Sequence, residues 1–253
     1  MKIQLLIIAA TLAASLKAQQ AQKGTLPKNY TPLSINIHYG AQKPLGTMAQ
    51  RFGINSQVGG GFERVSLPKG WIIGVESYFI YGSRVKEDVL KHIRTPDGTI
   101  LGDIGTYSTV LLKERGFYAG LNIGRLFTFT DNGNRVGGLR VTLGGGFLKH
   151  KIRIINEDNA APQVAFPYST GYDRLTYGFA FSQFVGYQVI SRNKTINFTL
   201  GIDFTEGVTR NRRGFNFDTQ QRDNTQRLDV LTGIRASWSI PLFSNQNADD
   251  IEY

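Results

Sequence analysis

Ile196-Asn197-Phe198-Thr199-Leu200-Gly201-Ile202-Asp203-Phe204 alternates without a break. Large apolar residues occupy one phase; asparagine, threonine, glycine and aspartate occupy the other. A period of two sends successive side chains to opposite faces of a β-strand, whereas a helix would scatter both sets around its circumference. The stretch is long enough for a tilted strand to cross a bilayer core, which takes about 9–11 residues.

The same pattern recurs along the chain. Trp71, Ile73, Val75, Phe79 and Tyr81 oppose Gly74, Glu76 and Gly82; Leu139, Val141, Leu143 and Phe147 oppose Arg140, Thr142, Gly144 and Gly146. Leu228, Val230, Ile234, Ala236, Trp238 and Ile240 oppose Asp229, Gly233, Arg235 and Ser237. Eight strands are expected, at 33–44, 52–65, 71–85, 108–129, 136–156, 174–190, 195–210 and 225–243. Their connections alternate in length. Ser66-Leu67-Pro68-Lys69-Gly70, Asp131-Asn132-Gly133-Asn134 and Ser191-Arg192-Asn193-Lys194 are short turns, while the other connections are longer and more polar, the longest near 86–107. Short turns at one end and long loops at the other are the habit of membrane barrels, with turns in the periplasm and loops outside.

Composition agrees. The chain has 253 residues, 41% of them hydrophobic, too apolar for disorder. It has no cysteine, which excludes disulfides, thiolate metal sites and a lipidated N-terminal cysteine. Met1-Lys2 followed by the uncharged apolar run Ile3 to Leu16 reads as an export signal, too short for a helical span of roughly 20 residues. Cleavage is expected after Ala18, with Ala21 as the alternative. Loss of Lys2 and Lys17 would take the formal charge from +10 to +8. The expected organisation is a cleaved signal peptide at 1–18, a periplasmic segment at 19–32, a barrel at 33–243 and a short periplasmic tail at 244–253.

With its signal segment, eight strands, alternating connections and aromatic terminal strand Trp238-Ser239-Ile240-Pro241-Leu242-Phe243, the sequence resembles a small outer-membrane β-barrel of OmpA/OmpX size, porin-like, in the style common among Bacteroidota. The resemblance covers residues 33–243 and implies an all-β fold: an eight-stranded antiparallel transmembrane barrel in the cell outer membrane. Residues Ser244 to Tyr253 depart from the pattern by following the terminal Phe243, and are too few for a peptidoglycan-binding domain.

The inward phase carries His38, Glu63, Glu76, Glu114, Arg140, Asp203, Asp229 and Arg235. An eight-stranded barrel is just wide enough for side chains to fill, and charges buried there must pair. A plug of ion pairs and hydrogen bonds is expected, with little or no conductance. On the outward phase, Lys113 and Arg115 of the fourth strand and Lys149, Lys151 and Arg153 of the fifth converge on one extracellular flank. Mid-membrane, each such cation would cost about 2–4 kcal/mol, so they belong at the rim, where lipopolysaccharide phosphates are a natural partner. Arg210, Arg212, Arg213, Arg222 and Arg227 cluster around the last outer loop, and suit a solvated or partner-facing loop better than nucleic acid.

Catalytic signals are weak. His38, His92 and His150 form no His-x-Ser arrangement on one face, and His38 with Ser34 is the one pair worth inspection. No HExxH, P-loop or EF-hand spacing is present. Gly59-Gly60-Gly61-Phe62 and Gly144-Gly145-Gly146-Phe147 lie within strands, where curvature and crowding account for them. No catalytic residue, metal or cofactor is assigned. The leading expectation is a noncatalytic structural or interaction barrel, or an accessory subunit of a secretion or assembly complex, with a protein partner bound through loops 86–107, 157–173 or 211–224. A narrow porin and a lipid A-modifying enzyme are the alternatives, and a soluble barrel would require an apolar interior.

Overall fold

The structure is a computed structural model that describes residues 31–67, 69–103, 105–131, 135–156, 160–191 and 197–243. The expected signal segment 1–18, residues 19–30, the expected tail 244–253 and the expected turn residues 132–134 and 192–196 lie outside the described residues.

The barrel strands are β1 (Leu33–Gly46), β2 (Asn55–Ser66), β3 (Trp71–Gly82), β6 (Val110–Asp131), β7 (Arg135–Asn156), β8 (Thr176–Ser191), β9 (Asn197–Asn211) and β10 (Gln226–Phe243). They close in the ring order β1-β10-β9-β8-β7-β6-β3-β2, every neighbour antiparallel. Closure leaves no edge strand with unpaired backbone groups, the condition for strands to span hydrocarbon. A one-turn helix, α1 (Met48–Arg51), follows β1, and a small hairpin, β4 (Ile100–Leu101) with β5 (Tyr107–Ser108), lies within the long connection after β3.

The alternation turns the barrel inside out relative to a soluble protein. Ile37, Ile73, Phe79, Leu121, Phe179 and Ile234 stand outward and exposed, while Arg140, Glu63, Asp203 and Arg235 are buried inside. A polar lumen beneath an apolar exterior excludes the soluble alternative. β6 and β7 are 22 residues each, twice what crossing requires at about 9–11 residues, so their paired ends project beyond the bilayer on the long-loop side.

Strand bounds differ from expectation mainly at that end. Phe52 does not open β2: its backbone N–H bonds the Met48 carbonyl at 2.9 Å, its ring is buried, and it forms a lone bridge with Val85. Residues 52–54 and 83–85 therefore belong to a folded cap above the barrel. Met48, Phe52, Val89, Leu90, Ile100 and Val164 form its apolar core, continuous with Ile80, Leu148 and Ile152 in the upper lumen. Val65, Ile72, Leu126 and Ile190 fill the opposite, short-turn end.

Candidate functional site: lumen, loop cap and cationic flank

Between these two apolar layers the lumen is crossed by polar bridges. Arg140 on β7 donates to Glu63 on β2 at 2.6 Å, and Ser239 Oγ donates to the other Glu63 oxygen at 3.1 Å. Arg235 on β10 reaches Glu76 on β3 at 3.1 Å and lies over the Phe184 ring, 4.5 Å from its centroid. Gln42 and Gln57 both donate to Asp203, at 3.0 and 2.9 Å. Tyr78 Oη and Thr205 Oγ1 meet at 2.9 Å across the full width of the ring, and Tyr118 stacks on Tyr78 with centroids 4.9 Å apart. Higher up, Asn55 donates to both oxygens of Glu114, at 3.0 and 3.1 Å.

Six of the eight polar residues expected inside thus find partners in this network, and a seventh, Asp229, in a cluster with His150. The eighth, His38, is buried with its edge toward the Tyr78 ring at 5.7 Å, and its Nε2 has no hydrogen-bond partner among the described residues. Sequence reasoning missed a further pair. His150 Nε2 lies 2.8 Å from Asp229 Oδ2, Thr209 Oγ1 donates to the same oxygen at 2.5 Å, and Thr47 Oγ1 lies 2.8 Å from Asp229 Oδ1. The inward phases of His150 and Asp229 were readable. Their meeting was not, because it depends on strand stagger across three steps of the ring. The hydroxyl and the imidazole meet on the carboxylate and not on each other, so the cluster is not the hydroxyl–imidazole pair of a serine-type triad.

The cap is tied by ion pairs between loops. Glu87 accepts from Arg51 and from Arg174, each at 2.9 Å, and Arg174 also reaches Asp218 at 2.5 Å. Asp173 binds Arg213 at 2.5 Å and Lys151 at 3.6 Å. Arg227 pairs with Asp223, and Arg212 lies 4.3 Å from the centroid of the Tyr177 ring. Much of the arginine cluster around the last loop therefore serves the protein's own carboxylates and rings. Burial pushes the Glu87 carboxyl up, but the Arg51 and Arg174 guanidiniums more than offset it and hold it below its ordinary value. Asp223 behaves alike: burial raises it, and hydrogen bonds from Arg227 and the Thr225 backbone bring it down to about 2.

The five expected rim cations come together on the outer face. Lys113 is paired in register with Arg153, Arg115 with Lys151, and Phe117 with Lys149. Lys151 has Asp173 nearby, and Arg115 donates to the Glu114 carbonyl at 2.6 Å. Lys113, Lys149 and Arg153 make no ion pair among the described residues.

A closed antiparallel ring with an apolar exterior, an ion-paired lumen and long connections at one end is a small transmembrane barrel of the outer membrane. No protein-family model and no curated protein matches the sequence. Among solved structures the chain is similar to Neisserial surface protein A, with a TM-score of 0.42 and 8% identity over 83% of this chain and 97% of that one. Ail of Yersinia pestis, in complex with the heparin analogue sucrose octasulfate, gives a TM-score of 0.39 and 11% identity over 83% and 98%. The outer membrane protein OprG of Pseudomonas aeruginosa gives 0.40 and 9% over 85% and 98%.

Proposed function

We propose that the chain is a noncatalytic barrel whose pinned lumen serves as a rigid base for its extracellular cap, and that the cap is the working surface, docking a protein partner of the cell envelope. The observation that carries this is the ion-pair chain Arg51–Glu87–Arg174–Asp218, which joins all four connections of the long-loop end into one unit. A loop set held in this way is preorganised, so binding loses little further conformational freedom.

The cap also presents apolar groups to solvent. Phe166 is 85% exposed and Tyr107 69%, and Leu101, Tyr168, Phe215 and Phe217 are exposed as well. They lie on three loops that touch: Gln163 donates to the Leu101 carbonyl at 2.6 Å, and the Phe217 N–H to the Gly171 carbonyl at 3.0 Å. Exposed aromatics gathered on an ordered surface suit a protein interface. The lumen bridges weigh against a solute pathway, and the order of groups around Asp229 weighs against acyl or phosphoryl chemistry there.

The test is purification from native outer membranes in mild detergent. A stoichiometric partner lost on replacing Phe166 and Tyr168 with serine supports the reading. A partner retained by barrels lacking residues 160–171 would overturn it, as would steady ohmic conductance in planar bilayers.

A further inference from the structure

We propose that the lipid-facing surface of β2, β3, β6 and β7 binds one lipid A-type glycolipid of the outer leaflet, with its phosphates on Arg115, Lys149 and Lys151 and an acyl chain in the groove directly below. The site rests on the membrane-barrel fold alone and meets the cap only where Lys151 reaches Asp173.

The outward rows of side chains around the ring follow from the strand register. One row runs Ile37, Gly60, Ser77, Ala119, Phe147. The row above it runs Val58, Phe79, Phe117, Lys149, and the row below runs Phe62, Val75, Leu121, Gly145. Three adjacent small side chains between two rows of large ones leave a trench, widened by Gly145, and it forms a groove of about 1040 Å³ in the apolar belt. A wall facing hydrocarbon gains dispersion contacts only where chains fill it, and a trench of this kind favours one chain lying in it over the disordered bulk.

The groove does not stand alone. A second depression of about 780 Å³ adjoins it at Phe79, lined by Tyr81, Arg115, Phe117, Lys149 and Lys151. Lys149 is four residues above Gly145 on β7, about 13 Å at ~3.3 Å per residue. Cation and trench are therefore spaced as the phosphate and the upper acyl carbons of one lipid. The cations lie at the long-loop end, which faces outward in such barrels, where the leaflet is lipopolysaccharide. Of the three site cations, Lys149 makes no ion pair among the described residues, Arg115 donates only to the Glu114 carbonyl, and Lys151 is 3.6 Å from Asp173, so an anionic headgroup supplies complementary charge in charge-assisted contacts.

A Cβ added at Gly145 would meet nothing within 4 Å, so Gly145→Leu starts from open space and projects its side chain into the trench; Ala119→Leu is the second variant should that one fail to fold. Lys149→Glu/Lys151→Glu removes the headgroup seat, and Lys43→Glu, an outward cation on β1, is the control. The full chain is purified from native outer membranes, checked for the heat-modifiable mobility of a folded barrel, and its bound lipid A is measured by mass spectrometry. Wild type and Lys43→Glu should retain about one lipid A per barrel, and both the groove and the headgroup variants at least threefold less. Equal lipid in every variant overturns the proposal. So does phosphatidylglycerol binding as tightly as lipid A in nanodiscs, or loss of a dimer rather than of lipid in Gly145→Leu, which would make the trench an interface between copies. Gly145→Leu, Ala119→Leu and Lys43→Glu leave the cap's ion pairs intact, whereas Lys151 reaches Asp173 of the cap, so partner capture is compared in the groove variants, where it is unaffected by either result.

Discussion

Arg140 Nη2 and Glu63 Oε2 lie 2.6 Å apart in the lumen, on strands three steps apart in the ring, with side chains 9% and 1% exposed. Neither has water to fall back on, so each is the other's solvation. Removing one leaves a buried charge unpaired, at a cost of about 3–5 kcal/mol, whereas replacing both with apolar groups of similar volume is far milder. Glu63→Gln should lower the urea midpoint of the detergent-solubilised barrel markedly, and Glu63→Leu/Arg140→Met should recover most of the loss. Additive effects of the two single replacements would show that the pair is not coupled.

The lumen is blocked at several levels, so opening one should not make a pore. Glu76→Ala/Arg235→Ala removes one bridge, but Tyr78–Thr205 above and the apolar layer of Val65, Ile72, Leu126 and Ile190 remain. Planar-bilayer recordings should show no steady conductance for wild type or for this variant. Ohmic steps in either would contradict a filled interior.

The cap should loosen in acid before the barrel does. Glu87 and Asp223 have folded-state values below their ordinary ones, Asp223 at about 2. A depressed carboxyl contributes stability that is fully present above its unfolded value and lost as pH falls through its folded value. The cap should therefore weaken as pH drops below about 4, the ordinary carboxylate range, and be largely released near 2. Pepsin should cut within 160–171 and 212–225 at pH 2 and much less at pH 4. Glu87→Gln should bring such cutting to pH 4 while leaving the heat-modifiable shift of the barrel unchanged.

The two glycine triplets are not uniform. A Cβ on lumen-facing Gly61 would come within 1.9 Å of the Val75 carbonyl oxygen, while one on Gly145 meets nothing within 4 Å. Gly61→Ala should reduce the yield of folded barrel severalfold in refolding assays, and Gly145→Ala should fold like wild type. Equal yields would mean that β2 and β3 do not approach as closely as they do here.

Fold class was legible because strand periodicity is local: Ile196 to Phe204 declares its two faces without reference to any other segment, and the short turns set the order of neighbours. The inward charges and outward cations followed from the same parity. That the cations of the two long strands share one flank was legible because hairpin strands are neighbours; which of them face each other was not, because a bulge between Thr128 and Thr130 shifts the register. What lay beyond the sequence was every relation across the ring. His150 with Asp229, Gln42 and Gln57 with Asp203, and the linkage of three loops through Glu87 depend on stagger and on loop folding, which parity does not encode. The trench over Gly60, Ser77 and Ala119 is of the same kind. Each residue is unremarkable in its own strand, and only the register of neighbouring strands aligns them beneath a row of large side chains and the cations Arg115, Lys149 and Lys151.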